Sequence, residues 1–488
     1  MSIATFVMAA ASGLQAVLYL SKFGTNARTD GFFVAFAVYT TFGVFSQTLR
    51  VTTVPLLVGA RARLTVRQFA AALGLLALPV LIATGPLAHP VSHILAPGLR
   101  HGGRSVTAAA LPVLGIAMAL QLWAAGAATV LAVRDRFAAV AGAYIGGAVV
   151  GLVTFLGLMN RTGVQTLGWS MMAMALVTCA MMLVSIGTSG GLGAERRSLR
   201  PKALLRAAGL VLGGTPIYLA FNMLFVISLA FASHGATGDS TVLSYAYLFA
   251  SYLVAGTGTA LGMSRIPELT RRAQTEGTIL VRETVPQGFR YAALLVAPAM
   301  AGLITAGAPL LHVLLPGSLN KTDVHILRVF AALLAPWTVV ALIVSFVIPA
   351  LLATGRWRFL NKLAVPVVLV HLAATAIGSQ LFGVYGAVGA ITIAPACLAV
   401  ALFLGGGQED SLRVSRTLTR DTGAFAGLAA VAFGGAWLLS SQIGSAGAAA
   451  ALAALVGVVA YAAGLRVVAR REVGVVMGAV ASRRGGTR

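Results

Sequence analysis

The sequence predicts an all-α polytopic membrane protein of about fourteen transmembrane helices. Two six-helix lobes are related as parallel repeats, and two further helices follow them. Three observations carry this prediction. Apolar runs of about 20 residues recur along the whole chain. Basic residues fall overwhelmingly in alternate loops. A five-residue pattern of Pro, His and Gly recurs in register 219 residues later.

The chain has 488 residues, of which 58% are hydrophobic and 10% charged, with a mean hydropathy of +0.92. A soluble domain is nearer about 25% charged, and a run of about 20 apolar residues is long enough to span a bilayer as a helix. Fourteen such spans are expected at 2–21, 31–58, 68–88, 107–132, 137–159, 164–188, 207–233, 240–264, 289–315, 328–353, 361–381, 383–405, 422–441 and 445–465. The opening stretch "MSIATFVMAAASGLQAVLYLSK" lacks a basic start and a small-residue cleavage site, so it reads as a retained first helix. The two cysteines, Cys179 and Cys397, both fall inside apolar runs. They read as small core residues, not as a disulfide or metal pair.

The net charge is +23, and its distribution is topological. With both termini placed in the cytoplasm, the inner loops hold 27 Lys and Arg and the outer loops hold 7, with Arg50 inside a span. That asymmetry is the positive-inside bias of a multi-pass protein of the cytoplasmic membrane. The basic charge then faces anionic membrane lipids, and no nucleic-acid partner is implied.

"PVSHILAPG" begins at Pro90 and "PLLHVLLPG" at Pro309. Pro79, Pro90, His93, Pro97 and Gly98 recur as Pro298, Pro309, His312, Pro316 and Gly317. Arg136-Phe137 is answered by Arg358-Phe359 at an offset of 222. Six spans separate the copies, so both point the same way across the membrane, as in a repeat about an axis along the membrane normal. The expected organisation is an N-lobe at 1–190, a linker at 191–206, a C-lobe at 207–405, a cytoplasmic loop at 406–421, two more spans within 422–466 and a basic tail at 467–488. The linker region "GTSGGLGAERRSLRPK" is Gly-rich and charged, as a flexible joint between lobes should be. Two like-oriented lobes flank a cleft that opens to either side when they rock, which is alternating access.

Several chemistries are missing. None of the four lysines follows a glycine, so no P-loop is present. The carboxylates lie in loops or at span edges, which leaves no Asp pair for Mg²⁺ and no intramembrane acid pair for acid-base work. The protein is therefore not read as an enzyme, and no cofactor or metal is expected. What remains in or near the membrane is cationic and amidic: Lys22, Arg28, Gln47, Arg50, Gln121, Asn222 and His371, with Asp30 at the outer mouth of the second span. Arg50 either snorkels to the headgroups or meets an anion in the cleft, where its guanidinium fits phosphate oxygens. Of these, Lys22, Arg28, Asp30, Gln47, Arg50 and Asn222 are the candidate substrate-binding set.

The stretch "GTNARTDGFFVAFAVYTTFGVFSQTLRVTTVPLL" resembles the second-span signature of the MurJ/MviN family, which carries Thr-Asp-Ala-Phe-Phe-Val-Ala-Phe and then Phe-Ser and Val-Pro. Thr29, Asp30, Phe32, Phe33, Val34, Ala35 and Phe36 match, as do Phe45, Ser46, Val54 and Pro55. "LSYAYLF" to "SRIPELTRR" is similar to the family's eighth span, and "ALLATGRWRFLNKLAVPVV" with "LFGVYGAVGAITIA" to its tenth-to-twelfth region. The family belongs to the group of multidrug, oligosaccharide-lipid and polysaccharide exporters. The resemblance implies a flippase for lipid II, an undecaprenyl-diphosphate-linked peptidoglycan precursor, and the protein is expected to be a monomer.

The chain also departs from the family. Family arginines of the first, second and eighth spans are absent; Gln15 stands where the first is expected, and Arg50 is the nearest substitute on the second. Three functions therefore stay open: a flippase for a lipid-linked glycan, an exporter of a small molecule or secondary metabolite, and a scaffold for envelope assembly that transports nothing. The driving force, membrane potential or a monovalent cation, stays open as well.

Overall fold

The computed structural model describes residues 2–57, 64–189, 200–213, 215–259, 279–307, 321–353, 355–405, 411–440, 442–443 and 445–468. The second Pro-His-Pro-Gly copy, the Gly-rich linker, Arg61, Arg63, Arg265 to Arg272 and the tail beyond Val468 fall outside them. Among the described residues the chain is helical throughout, with no strand. Sixteen α-helices follow in order: α1 (Ser2–Phe23), α2 (Ala27–Leu57), α3 (Val66–Thr84), α4 (Ala88–Leu95), α5 (His101–Val133), α6 (Phe137–Leu158), α7 (Thr166–Thr188), α8 (Pro201–Leu212), α9 (Pro216–Ala232), α10 (Asp239–Val254), α11 (Ile279–Gly302), α12 (Lys321–Ala353), α13 (Trp357–Ala390), α14 (Ile393–Gly405), α15 (Ser411–Ser440) and α16 (Ala446–Val468). Nine spans among the described residues are long and apolar enough to cross a bilayer, and α8 with α9 makes a tenth if the bent pair counts as one. The protein is an all-α, multi-pass membrane protein, as expected, because only closed backbone hydrogen bonding survives in lipid.

The chain packs as two units, Met1–Tyr247 with Gly355–Leu398, and Leu248–Thr354 with Ala399–Arg488. In the first unit, α5 packs on α2, α3 and α7. Its Leu111, Leu114 and Leu131 are fully buried. Lipid tails are as apolar as leucine, so such packing relies on small residues and interhelical hydrogen bonds. At the α2–α5 crossing a Cβ on Gly31 would run into the Gly103 carbonyl, and the Thr107 hydroxyl donates to the Gly31 carbonyl at 2.8 Å. Gly31 thus stands where two backbones touch.

Local chemistry sets the helix ends. The Asn26 side chain accepts the N–H groups of Arg28 and Thr29 at 2.9 and 3.1 Å, and Thr29 Oγ1 accepts the Asn26 N–H at 2.9 Å. This reciprocal cap starts α2. Thr65 and Gln68 form the same kind of box at the start of α3. The first Pro-His-Pro-Gly copy builds the short α4, which the sequence reading did not separate from its neighbours. Pro90 sits in the first turn, where its missing N–H costs nothing, and Pro97 bars continuation. Gly98 then presses against the backbone of Ser233 and His234, and its N–H donates to Ser233 Oγ at 3.1 Å.

The expected seventh span, 207–233, is divided. Its two helices, α8 and α9, meet at 68°, because Gly213 is followed by a second glycine and by Pro216, which opens α9. Asn361 of α13 donates to the freed Gly213 carbonyl at 2.6 Å. The expected eleventh and twelfth spans, 361–381 and 383–405, correspond to α13 and α14. Gly383 breaks α13 with φ 59° and ψ −140°. Gly378 and Gly386 lie backbone to backbone across that break, so the chain reverses without a polar loop.

In the second unit, α15 packs on α11 and α16. Arg290 Nε lies 3.7 Å from Asp421 Oδ2. The Tyr461 hydroxyl donates to the Leu294 carbonyl at 3.1 Å, and the Arg328 guanidinium stands 4.9 Å from the Trp437 ring centroid. An apolar cavity of about 180 Å³ lies among α11, α12 and α15.

Candidate functional site

The signature of α2 becomes an aromatic cluster within the first unit. Helical phase puts Phe32, Phe33 and Phe36 inside. Phe33 lies 5.6 Å from Tyr19 of α1 and 5.0 Å from Tyr245 of α10, centroid to centroid. The Tyr245 hydroxyl donates to the Ala16 carbonyl at 3.1 Å. Edge-to-face ring contacts of this kind favour one relative setting of α1, α2 and α10.

Above the cluster, Asp30 binds the start of α10. It is 1% exposed. Oδ2 accepts the Gly238 N–H at 2.7 Å. Oδ1 accepts the Thr241 N–H at 2.9 Å and the Thr241 hydroxyl at 2.7 Å. The first N–H groups of a helix have no partner within it, and the helix dipole is positive there. A carboxylate from another helix satisfies both conditions, so Asp30 caps α10 from α2.

Deeper along α2, Gln121 donates to the Tyr39 hydroxyl at 2.6 Å, and the Thr41 hydroxyl approaches the Asn222 carbonyl at 3.3 Å. The Asn222 amide donates to its own helix, at the Tyr218 carbonyl 2.8 Å away. Thr41 is eleven residues beyond Asp30 and Arg50 is twenty. At 1.5 Å per residue these positions stand about 16 Å and about 30 Å along the helix. Asn222 therefore meets α2 near the middle of the helix, and Arg50 lies toward the opposite end from Asp30. The side chains of Gln47 and Arg50 are outside the described set. Lys22 and Arg28 are exposed. The structure thus joins Asp30 to α10 and Asn222 to α2. It does not bring Lys22 or Arg28 into any described side-chain hydrogen bond.

Two buried polar contacts were not anticipated. Gln15, at the position where the resemblance leads one to expect arginine, is 2% exposed and donates to Ser170 Oγ at 3.0 Å. His371 of α13 is fully buried, with Nε2 at 2.8 Å from the Leu224 carbonyl and 2.9 Å from Ser228 Oγ. Since a carbonyl only accepts, Nε2 carries the proton. The signal for both was a lone polar residue on an otherwise apolar helix face, which names a candidate but not its partner. Among the described residues no group of three or more His, Cys, Asp or Glu is placed to hold a metal.

The family described as lipid II flippase MurJ matches residues 20–456. The chain belongs to that family. A solved lipid II flippase MurJ in an inward closed conformation is similar to the chain with a TM-score of 0.74 at 15% identity, covering 97% of this chain and 99% of that one. The MATE multidrug transporter DinF-BH follows at a TM-score of 0.60 and 13% identity, covering 84% of this chain and 95% of that one. An outward-facing MATE family transporter of the MOP superfamily has a TM-score of 0.57 at 15% identity, over 86% and 95%. No curated protein sequence matches the chain. Membership makes the protein a lipid II-type flippase in class, and the MurJ and MATE structures share its fold.

Proposed function

We propose that the protein moves an undecaprenyl-diphosphate-linked glycan precursor across the cytoplasmic membrane by alternating access of two lobes, 1–190 and 207–405, acting as a monomer with both termini in the cytoplasm. The observation that carries this reading is the Asp30 cap on α10. It ties the second span, in the N-lobe, to the eighth, in the C-lobe, through three hydrogen bonds at one rim. Water at a membrane surface replaces such bonds readily, so a polar clasp can close that rim in one state and release it in another. The cargo keeps its tail in lipid while its anionic head crosses, and Arg50 on α2 is assigned to the diphosphate. Membrane potential or a monovalent cation supplies the driving force.

A second reading, export of a small amphiphile, is favoured by Gln15. That side chain is buried against Ser170 and offers no cation to a diphosphate. Proteoliposomes holding the full chain separate the two. Translocation of an undecaprenyl-diphosphate-linked disaccharide, scored by its accessibility to an added enzyme, is expected with the wild type. Absence of translocation beside efflux of an amphiphilic dye would establish the second reading instead.

A further inference from the structure

Helix α8 offers a second place suited to phosphate. Helix α8 is amphipathic. Ala207, Ala208 and Val211 are buried against the first unit, whereas Lys202 and Arg206 are exposed one turn apart. Beside them Leu205 stands 64% exposed. An apolar residue left open next to two cations is the pattern of a helix lying in a membrane interface, its leucine in the acyl boundary and its cations at the headgroups. The 68° angle between α8 and α9 is the setting such a helix needs when its neighbour crosses the bilayer.

Between α8 and α3 runs a groove of about 740 Å³, lined by Leu64 and Gln68 on one wall and by Lys202, Ala203, Arg206 and Leu210 on the other. Arg67 is exposed one residue from Gln68. Among the described residues, Lys202, Arg206 and Arg67 make no ion pair or side-chain hydrogen bond, and no carboxylate lines the groove. The open end of α3, capped by Thr65, adds the positive end of a helix dipole to the same wall. Two cations lining a roomy groove, with an exposed leucine on the same helix, are complementary to a phosphodiester that arrives with its acyl chains still in the bilayer. The positive-inside bias puts this groove in the leaflet rich in anionic lipid.

We propose that the groove between α3 and α8 binds the headgroup of an anionic phospholipid of the cytoplasmic leaflet. Lys202 and Arg206 hold the phosphate as an i, i+4 pair, and Leu205 lies along an acyl chain. Because α8 leads directly into α9, a bound lipid fastens that junction to α3. The inference is independent of which cargo is carried.

The test is native mass spectrometry of the full chain in detergent, titrated separately with phosphatidylglycerol, phosphatidylcholine, undecaprenyl diphosphate and inorganic phosphate. Wild type should retain phosphatidylglycerol in preference to phosphatidylcholine. Lys202→Gln and Arg206→Gln should each weaken that retention by roughly fivefold, while Arg161→Gln, an exposed cation elsewhere, leaves it unchanged. If the Gln variants fail to fold, Arg206→Lys with Lys202→Arg keeps the charge and must keep the preference. Unchanged phosphatidylglycerol retention in both Gln variants overturns the proposal. So does selective loss of undecaprenyl diphosphate in those variants, which would place the groove on the cargo path, or displacement of the lipid by millimolar inorganic phosphate, which would make it a free-anion site.

Discussion

Asp30 and Thr241 are joined twice, the carboxylate taking both the backbone N–H and the hydroxyl of the threonine at 2.9 and 2.7 Å across 211 residues of sequence. The first prediction follows from what removal leaves behind. Asp30→Ala strands two N–H groups of a buried helix start, and each unsatisfied buried donor costs about 1–3 kcal/mol. Its thermal unfolding midpoint in detergent should fall clearly. Thr241→Val, which leaves both N–H bonds in place, should fall less. Equal midpoints for Asp30→Ala and wild type would show that the cap contributes nothing.

Gly31→Ala should be disproportionately harmful for one methyl group, because α5 presents a backbone carbonyl there and no side chain that can yield. Overpacking of this kind costs about 1–3 kcal/mol. The check is expression and thermal midpoint beside Gly13→Ala, whose added methyl meets nothing within 4 Å. A midpoint for Gly31→Ala as high as that of Gly13→Ala would contradict the close approach.

Arg50→Ala should abolish translocation of the lipid-linked glycan while leaving the unfolding midpoint within experimental scatter. Arg50→Lys should restore only part of it, since an ammonium lacks the bidentate fork. Near-normal translocation by the alanine variant would assign Arg50 to the headgroups.

Reporter fusions at Gly163, between α6 and α7, and at Gly355, between α12 and α13, should read outside and inside respectively. The basic bias demands this order, and the reverse pattern would overturn the topology.

Most of the fold was legible because lipid leaves a chain few choices. The divided spans show where that legibility stops. Hydropathy runs smoothly through Leu212, Gly213 and Pro216, so the run looked like one helix, although the glycine and proline carried the break. At Gly383 the same punctuation was read as a boundary and coincides with the kink. The site was less legible than the fold. Asp30 was recognised as unusual at a span edge, but its partners are backbone N–H groups of Gly238 and Thr241, and main-chain donors leave no mark in composition. Gln15 and Ser170 are 155 residues apart and meet only because α1 and α7 both pack on α6. Arg50 was found by the cost of its charge, a criterion that finds the residue without saying what it touches.

The reversal at Gly383 also bears on how the chain enters the membrane during synthesis. Leu381 and Phe382 at its tip are 67% and 69% exposed, and no charged residue separates the two antiparallel segments. A tip of that kind offers nothing to halt or retain on the far side. The two segments therefore present themselves to the insertion machinery as one apolar hairpin. The cations that bias its orientation are Arg356, Arg358 and Lys362 at the near end, so neutralising those three should impair the biogenesis of α13 and α14 before it touches transport.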